Sequence, residues 1–222
     1  MITTEIPVNE AKRIETLKKY DILDTPPDGN FDRITTLAST LFKVPIAIIS
    51  LVDTDRIWFK SHYGLHINQI DREPGLCASA IFSKDVYIVE NASKDPRTMT
   101  NSLVAGEFGL RFYAAVPLQT SDNFNLGTFC LLDKAPRIFS DEEKDILKQL
   151  AQIVMNEMEL RLHLRNTVRT VRNLSGDITA NLDKSIKGLN NTSGGDQREK
   201  VLSYLEASRM FLMNVQHQLD QI

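Results

Sequence analysis

The chain is poor in the residues that announce a particular chemistry. Among 222 residues there are two cysteines and one tryptophan. Cys77 and Cys130 stand 53 positions apart, which matches neither a disulfide framework nor a zinc spacing. Both lie in apolar surroundings, so they read as buried thiols of a reducing cytosol. The net charge is -3 and no stretch builds a basic face, so a nucleic-acid partner is not expected. No apolar run approaches the ~18–20 residues that span a bilayer, which argues against a membrane segment. Residues 1–10 lack the charged-then-apolar build of a secretion signal, so the expected location is cytoplasmic. Proline is also missing from a long region. The last of eight is Pro136, and no glycine follows it before Gly176.

That gap reads as helix. Ser140 followed by Glu143 forms a capping box at its start. From there the apolar residues recur at alternating three- and four-residue steps. Leu150, Val154, Leu164, Val168, Val171, Ile178, Leu182 and Leu189 lie on one seam, with Glu157, Arg161, Ser175 and Ser185 on the same line. Such a repeat is a heptad seam with polar interruptions. A helix over residues 140–190 would run ~75 Å at ~1.5 Å per residue, far more than a compact domain needs. The glycines and small polar residues of 191–196 predict a turn. A last helix over 197–222 follows. It can fold back on the long helix through Val201, Leu202, Leu205, Met210, Phe211, Leu212 and Val215. Alternatively the seam pairs with a second copy, the hairpins completing a four-helix bundle.

Before Pro136 the pattern differs. Asn9 precedes a short helix, Glu10–Tyr20, which the two prolines and glycine of residues 24–29 stop. A second helix, Phe31–Phe42, places Phe31, Ile34, Leu37, Ala38 and Leu41 on one face. Val44–Val52 is a β-branched run and Arg56–Tyr63 its hairpin partner. Residues 65–75 are irregular and polar. A short helix at Leu76–Phe82 carries Cys77, and a brief strand follows at Val86–Val89. Residues 92–109 read as loop with a helical turn near Leu103. Arg111–Gln119 and Leu126–Leu132 are strong strands joined by the polar loop Thr120–Asn125. Hairpin-joined strands with helices before and after predict an α+β domain with an antiparallel sheet. The expected division is 1–139 as a compact domain, 140–190 as the long helix, 191–196 as a turn and 197–222 as the return helix.

Several blocks in this order resemble a known family. They are Arg13…Leu17…Tyr20-Asp-Ile-Leu-Asp-Thr-Pro-Pro27, Phe31-Asp-Arg-Ile-Thr35, Ile46–Asp53, Arg56-Ile-Trp-Phe-Lys-Ser61…Gly64-Leu65, Arg111-Phe-Tyr113…Pro117-Leu118 and Leu126-Gly-Thr-Phe-Cys130…Asp133. Residues from about 9 to 160 look like a GAF domain of the bacterial signalling subgroup. The resemblance implies an antiparallel sheet of roughly six strands flanked by helices, acting as a ligand-binding or dimerising module. The ligand it implies is none or an unidentified small molecule. Bilin-binding members attach the pigment through Cys followed by His, but Cys77 is followed by Ala78, so a covalent bilin is not expected. The Asn-Lys-…-Phe-Asp-Glu set of cyclic-nucleotide members is absent. Methionine-sulfoxide-reducing members need several cysteines around the pocket, which two cysteines so far apart in sequence argue against.

No phosphate-cradling glycine loop and no H-E-x-x-H motif occurs. His62 and His66 are four apart, but Gly64 between them breaks a helix, and only a helix aligns that spacing for a metal. Trp58, Phe59, Tyr63, Phe112 and Tyr113 fall on predicted strands, where core packing is the expected role. The functional alternative is a pocket lined by Trp58, Phe59, Cys77 and Tyr113, with Arg72 or Arg111 supplying charge for an anionic ligand. Arg111 is otherwise expected to pair with Asp53 or Asp133. Near the end, Phe211-Leu-Met-Asn-Val-Gln-His217-Gln-Leu219 looks like the phospho-acceptor box of histidine kinases. Gln218 replaces the usual acidic residue after the histidine.

These features lead to a cytoplasmic signal-transduction sensor, a GAF-like domain coupled to a homodimeric helical output module, without intrinsic catalytic activity. One alternative is a phosphotransfer module of two-component type, with His217 as phospho-acceptor and a histidine kinase or other signalling protein as partner. Another is a small redox enzyme using Cys77, which would need a second thiol nearby.

Overall fold

The structure, a computed structural model, describes residues 9–73, 75–191 and 195–220. It comprises two compact units, Met1–Leu160 and Arg161–Ile222. The first holds α1 (Glu10–Lys19), α2 (Gly29–Phe42), β1 (Ile46–Val52), β2 (Arg56–Tyr63), β3 (Gln69–Asp71), α3 (Leu76–Ala80), β4 (Tyr87–Val89), α4 (Ser102–Ala105), β5 (Phe112–Gln119) and β6 (Asn125–Asp133). Next comes α5 (Asp141–Asn190), whose first five turns belong to this unit and whose remainder belongs to the second. The last helix is α6 (Asp196–Leu219).

The six strands form one antiparallel sheet in the order β3-β2-β1-β6-β5-β4. All seven residues of β1 are buried, as a run apolar except for Ser50 requires of a strand covered on both faces. Side chains alternate between the faces. Ile46, Ile48, Phe59, Tyr113, Ala115, Cys130 and Leu132 join one core cluster with Leu76, Cys77, Ala80 and Val104. α1, α2 and the start of α5 belong to the other face, where Phe139 packs its ring on Phe42 and Phe112 at centroid distances of 5.7 and 5.6 Å. Strands β1 and β6 approach so closely at Gly127 that a Cβ there would lie 1.9 Å from the Ser50 carbonyl oxygen. Beside it, Ser50 and Thr128 join hydroxyls at 2.9 Å in the buried interior.

Local differences from the sequence reading have physical causes. Asn9 occupies the N-cap of α1 but makes no side-chain capping bond. On α2 the buried residues are Phe31, Thr35, Ala38, Ser39 and Phe42, whereas Leu37 and Leu41 are 54% and 48% exposed. The polar residues go inside because their hydroxyls find partners: Thr35 meets the Ser61 hydroxyl at 2.9 Å and Ser39 donates to the Val44 carbonyl at 2.7 Å. Within the irregular segment 65–75 the chain adds a third strand, β3, at the edge beside β2. Three residues carry too little periodicity to be seen in advance.

The capping box at α5 forms in full. Glu143 N donates to Ser140 Oγ at 3.2 Å and Ser140 N to Glu143 Oε2 at 2.9 Å. Arg137 joins the same corner, binding Glu143 and the Phe42 carbonyl. Leu147, Leu150, Ala151, Val154, Met155 and Met158 are buried in the first unit. The first compact unit therefore runs to Leu160, past residue 139, and Leu150 and Val154 are buried within it.

In the second unit, α6 runs antiparallel to α5. Arg172 pairs with Asp220 at 3.0 Å, Asp183 with Arg209 at 2.7 Å, and Arg198 donates to the Leu189 carbonyl at 2.7 Å. Val168, Leu182 and Leu189 are half-buried along this hairpin, as are Leu202, Leu205, Leu212 and Val215. The return helix thus folds back on α5 within the chain. Of its turn at 191–196, residues 192–194 lie outside the described residues, as do residues 1–8, 74 and 221–222. Among the described residues, no helix is long and apolar enough to cross a membrane.

Candidate functional site

The first unit holds a partly open apolar cavity of about 80 Å³ between the sheet and the segments carrying β3, α3 and α4. Ile48, Phe59, Tyr113 and Cys130 form its floor on four adjacent strands. Cys77 closes one side from α3, while Leu65, Ile67 and Ile70 wall another. This volume exceeds the ~10–15 Å³ a water requires but is smaller than the ~150 Å³ cavity that takes a benzene. Its walls favour an apolar occupant of a few heavy atoms.

Three of the six residues expected to line a pocket meet here: Phe59, Cys77 and Tyr113. The other three lie elsewhere. Trp58 points to the opposite sheet face, beside a polar cleft shared with Asp24, Asp32 and Gln69. There the Lys60 ammonium lies 5.9 Å from its ring and donates to the Pro26 carbonyl at 2.9 Å. Arg72 pairs with Glu10 at 2.7 Å and donates to the Asp53 carbonyl at 3.0 Å. Glu10 also holds Arg13, which is 2% exposed and donates to the Leu126 carbonyl. Burial opposes ionisation of Glu10, but the hydrogen bonds from Arg13 and Arg72 outweigh it and hold the carboxyl below its ordinary value. Arg111 meets Asp133 only through the backbone, its N–H donating to the Asp133 carbonyl at 2.9 Å. Its guanidinium donates to the Val104 and Leu110 carbonyls, both at 2.9 Å, and so braces the segment that roofs the cavity. No arginine charge reaches the cavity walls among its lining residues.

The aromatics divide as well. Trp58, Phe59, Phe112 and Tyr113 are buried, but Tyr63 is 44% exposed. His62 bonds Asn68 at 3.1 Å and His66 is exposed. Among the described residues no group of three or more His, Cys, Asp or Glu is arranged to hold a metal.

The two cysteines are the main correction. Far apart in sequence, they meet with their sulfurs 3.9 Å apart, and the Tyr113 hydroxyl donates to Cys77 Sγ at 3.2 Å. The hydrogen bond with Cys130, helped by the Ser50, Thr128 and Tyr113 hydroxyls, draws the Cys77 thiol below its ordinary range against the effect of burial. Burial, reinforced by Cys77, pushes Cys130 well above it. The signal was present in sequence only as one Cys on a short helix and one on a central strand. Their adjacency depends on α3 crossing β6.

In the second unit His217 is exposed near the end of α6. Leu164, Val171 and Ile178 on α5 are 56%, 39% and 49% exposed, and Tyr204 and Phe211 on α6 are 75% and 67% exposed.

The matches to known proteins agree with this architecture. Residues 26–158 match the GAF domain family, and the chain belongs to it. A cyclic di-GMP phosphodiesterase of Pseudomonas aeruginosa is 37% identical over 169 residues, covering 75% of this chain and 28% of that protein. The chain thus spans little more than a quarter of that relative. The GAF domain of a phosphoenolpyruvate-protein phosphotransferase from Coxiella burnetii superposes with a TM-score of 0.52 at 13% identity, covering 71% of this chain and 95% of that one. The free methionine-R-sulfoxide reductase of Neisseria meningitidis gives 0.51 at 19% identity, covering 74% and 99%. At such identities the two structures establish a shared fold and nothing finer.

Proposed function

We propose that the protein is a signal-transduction sensor of the cytoplasm whose GAF domain acts through a dimeric helical hairpin. The single observation that carries this reading is the double use of α5. Its first turns are part of the GAF core, through Leu147, Val154 and Met158, and its later turns build the hairpin with α6. One continuous helix is therefore common to the unit that holds the cavity and the unit that holds the exposed apolar side chains. A change in cavity packing that favours one placement of α5 shifts the population of the whole chain toward it. The likeness to a cyclic di-GMP phosphodiesterase supports a place in signalling. The phosphodiesterase activity stays with that protein.

The ligand this reading favours is a small apolar molecule, because the cavity is lined by Ile48, Phe59, Leu76 and Tyr113 and no charged residue. The partner it favours first is a second copy. Native mass spectrometry of freshly purified protein tests both parts together. A dimer carrying a small retained molecule is the expected result; a ligand-free monomer at micromolar concentration overturns the reading.

A second reading takes His217 as a phospho-acceptor. Its exposure on a helical hairpin favours it, as does the sequence around it. Incubation with a histidine kinase and labelled ATP decides the matter. An acid-labile label lost in His217→Ala supports it, and absence of label, or label kept in that variant, removes it.

A further inference from the structure

Two thiols that meet inside a cavity wall are unusual in a chain with only two cysteines. Cys77 sits on α3, and Cys130 on β6 between β1 and β5. Their sulfurs are 3.9 Å apart, against ~2.0 Å in a disulfide bond. Closing the bond brings the two sulfurs about 2 Å closer together. Both residues line the apolar cavity, which gives a small oxidant a route to two residues that are only 5% and 0% exposed. The cavity of about 80 Å³ has room for a molecule of two heavy atoms.

We propose that Cys77 and Cys130 are an oxidisable dithiol that hydrogen peroxide closes to an intrachain disulfide, tying α3 to the central strand β6. Cys77 is the attacking sulfur. The Tyr113 hydroxyl and the Cys130 thiol both hydrogen-bond to it, which favours its thiolate. That thiolate attacks one peroxide oxygen, the O–O bond breaks, and the departing hydroxide takes a proton to leave as water. Cys77 is now a sulfenic acid, two electrons poorer. The sulfur of Cys130 then attacks Cys77 Sγ, and its thiol proton goes to the leaving hydroxyl as a second water. In sum, two thiols and one peroxide give one disulfide and two waters. The bond converts a wall of two separate sulfurs into a covalent clamp across the cavity floor. Closure of this disulfide requires neither a ligand in the cavity nor dimerisation of the hairpin.

The test uses the full chain. Reduced protein is treated with hydrogen peroxide, quenched, alkylated in denaturant and digested with trypsin without reductant. The expected product joins peptides 73–84 and 112–134, which carry Cys77 and Cys130, and dithiothreitol returns both to the alkylated form. In Cys130→Ala the reaction stops at the sulfenic acid, so dimedone labels Cys77 while it leaves peroxide-treated wild-type protein unlabelled. Two fully alkylated cysteines after peroxide, oxidation of Cys77 to sulfinic acid without the cross-link, or a disulfide joining two chains would each overturn the proposal. The wild-type readout stands even where the variant fails to fold.

Discussion

Replacing Leu164 and Ile178 together with aspartate separates a self-contained hairpin from a dimeric one. The two residues lie two heptads apart on α5 and are 56% and 49% exposed in the single chain. Because they are largely outside the hairpin core, their loss should leave the helices formed. Surface substitutions of this kind usually change stability by about 0.5 kcal/mol or less. In a two-fold dimer the same positions become buried, and each substitution counts twice. Burying the exposed half of a leucine or isoleucine is worth ~1 kcal/mol, taking half of the value for a whole side chain. The pair therefore removes ~4 kcal/mol from the dimer, or a factor of about a thousand in its dissociation constant. Four carboxylates brought to the interface add repulsion. Sedimentation velocity across a range of protein concentrations reads the mass, and circular dichroism checks that helix content is kept. The wild type should sediment as a dimer and the variant as a monomer. Equal masses for the two, with helicity intact, would refute the reasoning and leave α5 and α6 as an intramolecular pair only.

Two further outcomes follow from the first unit. Gly127→Ala forces a Cβ to within 1.9 Å of the Ser50 carbonyl oxygen, so β1 and β6 must part and urea denaturation should show a loss of ~3 kcal/mol, the upper end for overpacking. Gly29→Ala, at a position with nothing within 4 Å, should be nearly neutral, and equal effects at the two sites would discredit the close-approach argument. The Glu10 carboxyl is held below its ordinary value in the folded state, so its contribution is complete above the ordinary carboxylate range. That contribution is lost as the pH falls through the lowered folded value. Denaturation midpoints of Glu10→Gln and wild type should accordingly converge on acidification, and a gap that widens instead would contradict the sign.

Much of the fold was legible because local rules and the final packing agree. The β-branched run of β1, the polar loop between β5 and β6 and the Ser140–Glu143 capping box all formed where their spacing placed them. Half of the expected pocket residues, Phe59, Cys77 and Tyr113, also meet around one cavity. The arginines show where such reading stops. A guanidinium has reach and five donors, so its partner is chosen by whatever acceptor folding brings near. For Arg72 this is Glu10, 62 positions away, and for Arg111 it is a pair of backbone carbonyls.

Sequence periodicity by itself determined that a compact α+β domain precedes a long helix and a returning one, because turn residues and apolar spacing act over short distances. Only the tertiary structure decided that α5 is shared between the domain core and the hairpin, and that α2 buries Thr35 and Ser39 while exposing Leu37 and Leu41. It alone brought Cys77 and Cys130 within 3.9 Å. The physical reason is the same in each case: which face an element buries, and which distant side chain it meets there, is set by the elements packed against it.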